Sequence, residues 1–258
     1  NPALVREHIP EIADALFFGH GGNQGDAIAW GRALGAEIRH MGAYQGHGSV
    51  ATPHGVLITW AVMMEGGIQI NNRGERFSNE HQGYSEQAVS VLAQPDRIAW
   101  DILDSRLHQL GQTFEDYRQG FEAGAIRRAN TVGQLAEVTG VPLAALERTL
   151  ADTARFVRGE AKDPFGRQFK GKTPLTPPYY AVKVTGTLFH TQGGLTVDRN
   201  ARVLRPDGRP LPNLLAGGGA AAGLSGDHVW GYMSGNGLLA AVTYGRLAGE
   251  SAAKLALT

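Results

Sequence analysis

The spacing of apolar residues along the chain predicts helices that alternate with short strands. The clearest helical pattern covers 131–158, where Thr131 can cap a helix at 132–139 and Gly140-Val141-Pro142 separates it from a second helix at 143–157. Further helices are predicted at 3–17, with a break at Pro10 as the alternative, at 27–34, at 84–93 and from Asn236 to about Leu255. Strands are predicted at 56–62, 67–70, 98–103, 180–185, 195–197 and 202–204, with turns at 71–74 and 207–208.

Glycine is the residue type that changes this picture most. The chain has 36 glycines in 258 residues, which is about twice the usual share of roughly 7 %. They cluster without a fixed period at 19–25, 42–48, 66–74, 193–194, 217–226 and 231–237. Clustered glycines mark backbone that turns tightly or is closely approached, so we expect an extended ligand to lie along several of these segments.

Charge and cysteine content exclude several classes of protein. Lys and Arg total 24, as do Asp and Glu, so the net charge of zero gives no indication of a nucleic-acid or acidic-membrane partner. The absence of cysteine excludes disulfide scaffolds, Cys-ligated zinc, iron–sulfur clusters and thiol nucleophiles. No apolar run is long enough for a membrane span, and a cytoplasmic location is expected.

Shifts in composition at about residues 46 and 186 divide the chain into three blocks. The middle block, 47–186, has a mixed α+β pattern. The outer blocks, 1–46 and 187–258, are both rich in glycine, and we expect them to belong together in space.

Six segments, in one order along the chain, resemble motifs of a known family. They are Asn23-Gln24-Gly25-Asp26-Ala27-Ile28, Asn72-Arg73-Gly74-Glu75-Arg76-Phe77-Ser78-Asn79-Glu80, His190-Thr191-Gln192-Gly193-Gly194-Leu195, Pro212-Asn213-Leu214-Leu215-Ala216-Gly217-Gly218, Ser234-Gly235-Asn236-Gly237-Leu238 and Gly245-Arg246-Leu247-Ala248-Gly249. Together they resemble the fumarate reductase and succinate dehydrogenase flavoproteins, an FAD-binding family that also includes ketosteroid and tricarballylate dehydrogenases.

The resemblance implies a fold of the α+β / α/β class. It implies an incomplete FAD-binding Rossmann-like domain at 1–46 and 187–258, with an inserted α+β capping domain for substrate and catalysis at 47–186. The Gly-x-Gly-x-x-Gly element that opens the family's flavin domain does not occur in this sequence. We therefore expect a fragment that lacks the dinucleotide-binding segment and retains FAD only weakly.

On the cofactor side, Gly235-Asn236-Gly237-Leu238 places backbone N–H groups at the start of the last helix. The partial positive charge there favours an anion such as the N1–O2 edge of reduced flavin; a plain helix cap is the alternative. The resemblance adds Gly25 and Asp26, where Asp26 could also cap the helix at 27–34. It also adds Gly217 and Gly218 at the end of a buried strand.

On the substrate side, the resemblance implies that His47 and His190 bind a substrate carboxylate. The family's fumarate reductases have an arginine proton donor where this chain has Tyr84, and a carboxylate-binding arginine where it has Tyr232. Without these arginines the bidentate carboxylate fork is absent, so we expect a larger or less charged substrate than fumarate. Tyr84, Tyr232, His190 and His47 are the candidate catalytic residues.

His81 and His228 are further proton-transfer candidates; for these as for the tyrosines, a packed aromatic ring or a surface position is the alternative. Arg76 and Glu80 are expected to form a structural ion pair or turn, with a catalytic role as the alternative. The charged run 158–172 is expected to be a solvated loop. Gly245 and Gly249 are expected to let the last helix pack closely on a sheet of the lacking segment. The apolar surface left exposed would favour a homodimer.

The sequence thus predicts a flavoprotein oxidoreductase that transfers a hydride between FAD and a carbon–carbon bond. Two alternatives stay open. The chain could be a folded remnant without cofactor, or a binding module in which His47 and His190 hold a small anion or a metal. His40, His47 and His54 are evenly spaced, but no regular helix aligns them for a metal.

Overall fold

A computed structural model describes residues 1–256, which form two units. The central unit comprises Gly46–Thr187. The outer unit comprises Asn1–Gln45 and the chain from Leu188 onward. The mixed α and β composition predicted from the sequence is confirmed.

The helices follow the predicted start and stop signals where those signals are strong. Thr131 Oγ1 accepts a hydrogen bond from Gln134 N at 3.1 Å, and Gly140 ends the same helix with a left-handed φ of 73°. Over residues 1–256 the helices are α1 Pro2–His8, α2 Asp26–Ala33, α3 Ala61–Met64, α4 Tyr84–Leu92, α5 Ser105–Gly111, α6 Glu115–Glu122, α7 Val132–Thr139, α8 Leu143–Val157 and α9 Asn236–Ala256.

The strands over the same residues are β1 Leu16–Phe17, β2 Ile38–Arg39, β3 Tyr44–Ala51, β4 Val56–Leu57, β5 Ile68–Ile70, β6 Ile98–Asp104, β7 Ile126–Ala129, β8 Tyr179–Thr191, β9 Gly194–Leu195, β10 Arg202–Leu204 and β11 Pro210–Leu215.

The central unit is built on a mostly antiparallel sheet. Its strands follow the order β4-β3-β8-β6-β5, and β7 also pairs with β8. The register places Ile98 opposite Thr185 and Asp104 opposite Tyr179 between β6 and β8, and Gln69 opposite Asp101 between β5 and β6. Each face of the sheet therefore presents alternate residues of neighbouring strands side by side.

Both faces of this sheet carry an apolar core. On β6, Ala99 and Leu103 belong to one core, while Trp100 and Ile102 belong to the other. Helices α3 and α4 contribute to the first core, whose members include Val62, Met63 and Val91. The second core includes Leu135 and Ala136 of α7 and Leu146 of α8. Burial on both faces fixes the register, because a one-residue slip would exchange the two sets.

The outer unit has two small antiparallel pairs, β2 with β9 and β10 with β11. One of its buried apolar clusters contains Leu195, Val203, Leu211, Ala216 and Ala221. Helix α9 contacts β11 and the 218–220 turn. Large apolar side chains of α9 are exposed within the described residues, namely Leu238, Leu239 and Val242.

Several predicted elements differ from the structure. The helix predicted at 3–17 ends at His8, because Pro10 begins a separate 3-10 turn and Leu16–Phe17 is extended. The strand predicted at 56–62 ends at Leu57, and Ala61–Met64 is helical. The turn at 71–74 is present, but it does not join β5 to a hairpin partner. The strand that pairs with β5 is β6.

No helix in the described part of the chain is both long enough and apolar enough to cross a lipid bilayer.

Candidate active site

His47 and Tyr84 come together in the central unit. His47 lies on β3, and Tyr84 is the first residue of α4. Their rings stack with centroids 5.0 Å apart, and the Trp60 ring meets His47 edge-on at 5.8 Å. The histidine is therefore enclosed by aromatic rings on one face and one edge.

The glycines beside His47 explain how α4 reaches this position. A Cβ atom on Gly48 would lie 2.8 Å from Gln87 Cβ, and one on Gly46 would lie 2.9 Å from Ser85 O. Gly46 N also donates a hydrogen bond to Ser85 Oγ at 2.8 Å. The prediction that glycine clusters mark close approach thus holds at 46–48, but a helix of the same unit makes the approach and not a ligand.

His47 is a neutral hydrogen-bond donor in this setting. Complete burial lowers the pKa of its imidazole to about 3. Ser49 N donates to His47 Nδ1 at 3.1 Å, so the neutral ring carries its proton on Nε2. A carboxylate would gain little from this group compared with a cationic partner.

His190 and Tyr232 form a second pair, in the outer unit. Tyr232 Oη donates to Gln45 Oε1 at 3.0 Å and lies 3.4 Å from His190 Nε2. Gln192 Nε2 donates to His190 Nδ1 at 2.9 Å, which again puts the ring proton on Nε2, facing the tyrosine oxygen. Burial lowers the pKa of His190, so this histidine is neutral as well.

The start of α9 offers both a positively polarised helix end and a buried acceptor. Asn236 is 2 % exposed, and its Nδ2 donates to Met233 O at 2.9 Å and to Ser225 Oγ. Its Oδ1 has no hydrogen-bond partner among residues 1–256. Gly237 and Leu238 belong to the first helical turn, where N–H groups have no acceptor within the helix. These residues fit a planar heterocycle that carries N–H donors and negative charge, as flavin does.

Gly25 and Asp26 are placed differently from the predicted cap. Gly25 is the N-cap of α2 with a left-handed φ of 86°, and Asp26 is already the first helical residue. No side-chain hydrogen bond caps this helix, and Asp26 is exposed. The capping role predicted for Asp26 is therefore wrong, because the left-handed glycine itself begins the helix.

Gly217 and Gly218 follow β11, which ends at Leu215. That strand pairs with β10 in a two-stranded sheet and is largely exposed within the described residues, so the predicted buried strand is wrong. A Cβ on Gly217 would lie 3.1 Å from Tyr244 Cβ of α9. Gly217 therefore lets α9 lie close to the turn, and this packing role is independent of any contact with a cofactor.

The remaining proton-transfer candidates, His81 and His228, have surroundings that differ from those of the two histidine–tyrosine pairs. His81 is half-buried, which lowers the pKa of its imidazole, and its Nε2 has no partner among residues 1–256. His228 is exposed on the 223–235 loop. In the part of the chain that is described, no three His, Asp or Glu side chains gather closely enough to hold a metal ion.

A buried ionic cluster in the central unit includes residues that the sequence analysis assigned to solvent. The predicted pair is present, with Arg76 Nη2 2.7 Å from Glu80 Oε2. Arg167 Nη1 also lies 3.0 Å from Glu80 Oε2, and Asp163 pairs with Arg76. Burial alone would raise the pKa of Glu80, but hydrogen bonds and charge from Arg76 hold it below its usual range.

The prediction of a solvated loop at 158–172 is therefore wrong for Asp163 and Arg167. Arg167 is 2 % exposed, donates to the carbonyls of Met63 and Gly67, and lies over the Phe169 ring at 4.5 Å. Aromatic residues between the charges were the available signal, because a stacked guanidinium is a frequent buried form of arginine.

Gln45 and Gln192 were missed as partners of the second pair. Gln192 occupies the variable position of His-Thr-x-Gly-Gly, and a side-chain amide two residues after a histidine can reach its Nδ1. No comparable sequence signal points to Gln45, since its contact with Tyr232 joins positions 187 residues apart.

Comparisons with known proteins identify the family. The family described as "FAD binding domain" matches residues 1–238. A probable fumarate reductase of Shewanella frigidimarina is 29 % identical over 257 residues, which are 100 % of this chain and 43 % of that protein. The chain therefore spans less than half the length of this relative.

Solved structures agree with this assignment. The open conformation of a flavocytochrome c3 fumarate reductase superposes with a TM-score of 0.77 at 30 % identity, over 100 % of this chain and 45 % of that one. A 3-ketosteroid Δ1-dehydrogenase from Sterolibacterium denitrificans, in complex with 1,4-androstadiene-3,17-dione, gives 0.71 at 26 % identity, over 98 % and 51 %. The family match and the fold thus place the chain among the FAD-dependent flavoprotein oxidoreductases. The chain belongs to the FAD-binding domain family.

Proposed function

We propose that this chain is part of an FAD-dependent enzyme that transfers a hydride between FAD and a carbon–carbon bond of a small or medium organic substrate other than fumarate. The observation that carries the proposal is the pairing of a neutral histidine with a tyrosine in each unit. Neutral N–H and O–H donors suit an uncharged oxygen, such as the carbonyl of a ketone, better than a carboxylate.

FAD, when bound, supplies the site that accepts or gives the hydride. We assign proton transfer at the substrate carbon to Tyr84 Oη, since a tyrosine can act as acid or base at a positioned carbon. The His47 ring stacks on the Tyr84 ring, and we assign its Nε2–H as a hydrogen-bond donor to the substrate or to the tyrosine oxygen. Tyr232, held by Gln45 and His190, orients the polar group of the substrate.

On the cofactor side, we assign the flavin ring to Gly235, Asn236, Gly237 and Leu238. The unpartnered Asn236 Oδ1 and the N–H groups of the first α9 turn support this assignment. Gly25, Asp26, Gly217 and Gly218 stay assigned to the cofactor side by the family motifs alone.

The test is anaerobic reduction of the enzyme-bound flavin by matched substrates. The proposal predicts that a saturated cyclic ketone bleaches the flavin absorbance and that succinate, the reduced form of fumarate, does not. Bleaching by succinate with no response to ketones would show that the carboxylate-binding function is intact without the arginines. A protein that holds no flavin would instead favour a binding module without redox activity.

A matched variant sharpens this test. Tyr232→Arg introduces the guanidinium that can clamp a carboxylate, so it should weaken ketone binding and strengthen succinate or fumarate binding. KM should be measured for both substrate classes in the wild type and in Tyr232→Arg. Opposite changes in the two KM values would show that residue 232 contacts the polar group of the substrate, whereas general damage to the enzyme would weaken both.

A further inference from the structure

A carboxyl group lies inside the apolar core of the central unit. Asp101 is 0 % exposed and lies on β6 between Ala99 and Leu103, which share its face of the sheet and belong to the same core. A buried carboxyl is costly unless its oxygens are hydrogen-bonded. Both of its oxygens have partners, and those partners lead towards His47.

The first partner is Gln69, which stands opposite Asp101 in the sheet register. Gln69 Nε2 donates to Asp101 Oδ1 at 2.8 Å, while Gln69 Oε1 accepts from Gln87 Nε2 at 2.8 Å. An acceptor at one end and a donor at the other fix which end of the Gln69 amide carries the nitrogen. Asp101 therefore sets the orientation of this side chain.

Gln69 in turn holds one side of a peptide unit of β3. Its Nε2 also donates to Gly48 O at 2.8 Å. The Gly48 carbonyl and the Ser49 N–H belong to the same planar peptide, so fixing one fixes the other. That N–H is the group that donates to His47 Nδ1 at 3.1 Å.

The second oxygen of Asp101 holds the same residue from its side chain. Ser49 Oγ donates to Asp101 Oδ2. The Gly48–Ser49 peptide is thus held through a carbonyl and through a neighbouring hydroxyl, and both contacts end on one carboxyl group.

We propose that Asp101 is a positioning residue for His47: through Gln69 and Ser49 it orients the peptide N–H that keeps the His47 ring proton on Nε2. The proposal rests on the proposed function, in which His47 presents that proton at the substrate side.

The charge state of Asp101 does not change this geometry. Burial raises the pKa of its carboxyl to about 7, against the lowering effect of the hydrogen bonds from Ser49 and Gln69, and nearby Glu80 raises it further. Burial, with the charge of Asp101 as a further cause, raises the pKa of the Tyr117 phenol. With or without its proton, Asp101 keeps Oδ1 as an acceptor for Gln69, and an asparagine would supply the same oxygen.

The test is NMR of histidine labelled with 13C and 15N in the 258-residue chain, with the His47 signals assigned by loss in His47→Gln. The wild type should show one neutral Nε2–H form between pH 5 and 8. Asp101→Leu should lose this single form and give an average of both tautomers. Asp101→Asn should restore the wild-type signals.

Asp104→Leu is the matched control. Asp104 is a buried carboxylate on the same strand, but it caps α5 by accepting a hydrogen bond from Leu107 N. It takes no part in the hydrogen bonds through Gln69 and Ser49 that lead to His47. It should lower stability without changing the His47 tautomer. If Asp101→Leu does not fold, Gln69→Met tests the same link, because it frees the Gly48 carbonyl while keeping the volume.

Turnover separates this inference from the proposed function. In the flavin-loaded enzyme, Asp101→Leu should reduce kcat/KM by about 100-fold, as small displacements of reacting groups do, and Asp101→Asn should recover most of it. Unchanged His47 signals in both Asp101→Leu and Gln69→Met would overturn the positioning role even if turnover falls. Shifted His47 signals in an enzyme without redox turnover would leave the positioning role intact and reject the proposed function.

Discussion

The two histidine–tyrosine pairs have the same chemistry but different supports. In the central unit, His47 is buried on a strand, and its partner Tyr84 begins a helix that two glycines bring against that strand. In the outer unit, His190 is half-buried, and Tyr232 belongs to the 223–235 loop. Both histidines accept an N–H bond on Nδ1 and carry the ring proton on Nε2.

The difference indicates a division of tasks. A pair held by a sheet, a helix and buried polar groups keeps one geometry, which proton transfer at a carbon requires. In the outer pair His190 lies on β8 but Tyr232 lies on a loop, so Tyr232 can adjust to the polar end of different substrates. Variants of the two pairs and of the groups that support them test this division.

The first prediction compares removal of the two phenol groups. Tyr84→Phe should lower kcat by about 10²–10⁴-fold, the usual contribution of a positioned acid or base. Tyr232→Phe removes a hydrogen bond worth about 1 kcal/mol and should act mainly on KM, by about fivefold. Steady-state kinetics of the flavin-loaded enzyme measures both; the opposite order would exchange the two roles.

The second prediction concerns the ionic cluster that supports the central unit. Arg167→Met leaves the buried Glu80 with one guanidinium fewer and should lower the free energy of unfolding by about 3–5 kcal/mol. Urea unfolding measures this loss. The control is Arg158→Met, since the Arg158–Glu160 pair is exposed and its loss should leave the midpoint unchanged. Equal midpoints for both variants would contradict a supporting role for the cluster.

The third prediction uses pH to compare the two histidines. The pKa of His47 is about 3 in the folded chain against 6.5 as its ordinary value. As pH falls from 6.5, the unfolded chain binds a proton that the folded chain does not, so wild-type stability decreases towards pH 3. His47→Gln lacks this decrease, which amounts to roughly 4–5 kcal/mol.

His190→Gln should act with the same sign but less strongly, because His190 is only half-buried and its pKa is lowered to a smaller extent. Unfolding curves at pH 7, 5 and 4 for both variants give the comparison. A larger effect for His190 than for His47 would mean that the imidazole of His190 is the more strongly desolvated of the two.

The fourth prediction concerns the loop that carries Tyr232. Ser225 Oγ accepts from Met233 N at 3.1 Å and from Asn236 Nδ2. Ser225→Ala should cost about 1 kcal/mol and raise KM severalfold while kcat is kept. The control is Ser251→Ala. Ser251 lies towards the C-terminal end of α9, and its loss removes a hydrogen bond to Asn200 O, so KM should stay unchanged. A change in kcat alone for Ser225→Ala would mean that the loop takes part in the chemical step.

Sequence reasoning succeeded where local signals decide the structure. Thr131, Gly140 and Pro142 mark helix ends by short-range chemistry, and α4, α7, α8 and β6 lie within a residue of their predicted bounds. Residues 44–51 form a buried strand that was not predicted. Their glycines suggest a loop, and tertiary pairing with β8 outweighs that propensity.

The support of each pair could not be predicted for the same reason. Ser49 and Gln69 are bonded to Asp101 across 52 and 32 positions, and no spacing rule connects them before the sheet register is known. Asp163 and Arg167 have the composition of a solvent-exposed loop, but their ion pairs with Arg76 and Glu80 bury them.

The flavin content of the isolated protein decides whether this chain is part of an FAD enzyme. Absorbance at the flavin bands and mass spectrometry of the released cofactor should be measured on the protein that contains this chain, beside a variant with Asn236→Leu. The account predicts one FAD per chain in the wild type and a marked loss of FAD in the variant. A colourless wild-type protein without FAD, even after refolding with the cofactor, would contradict it.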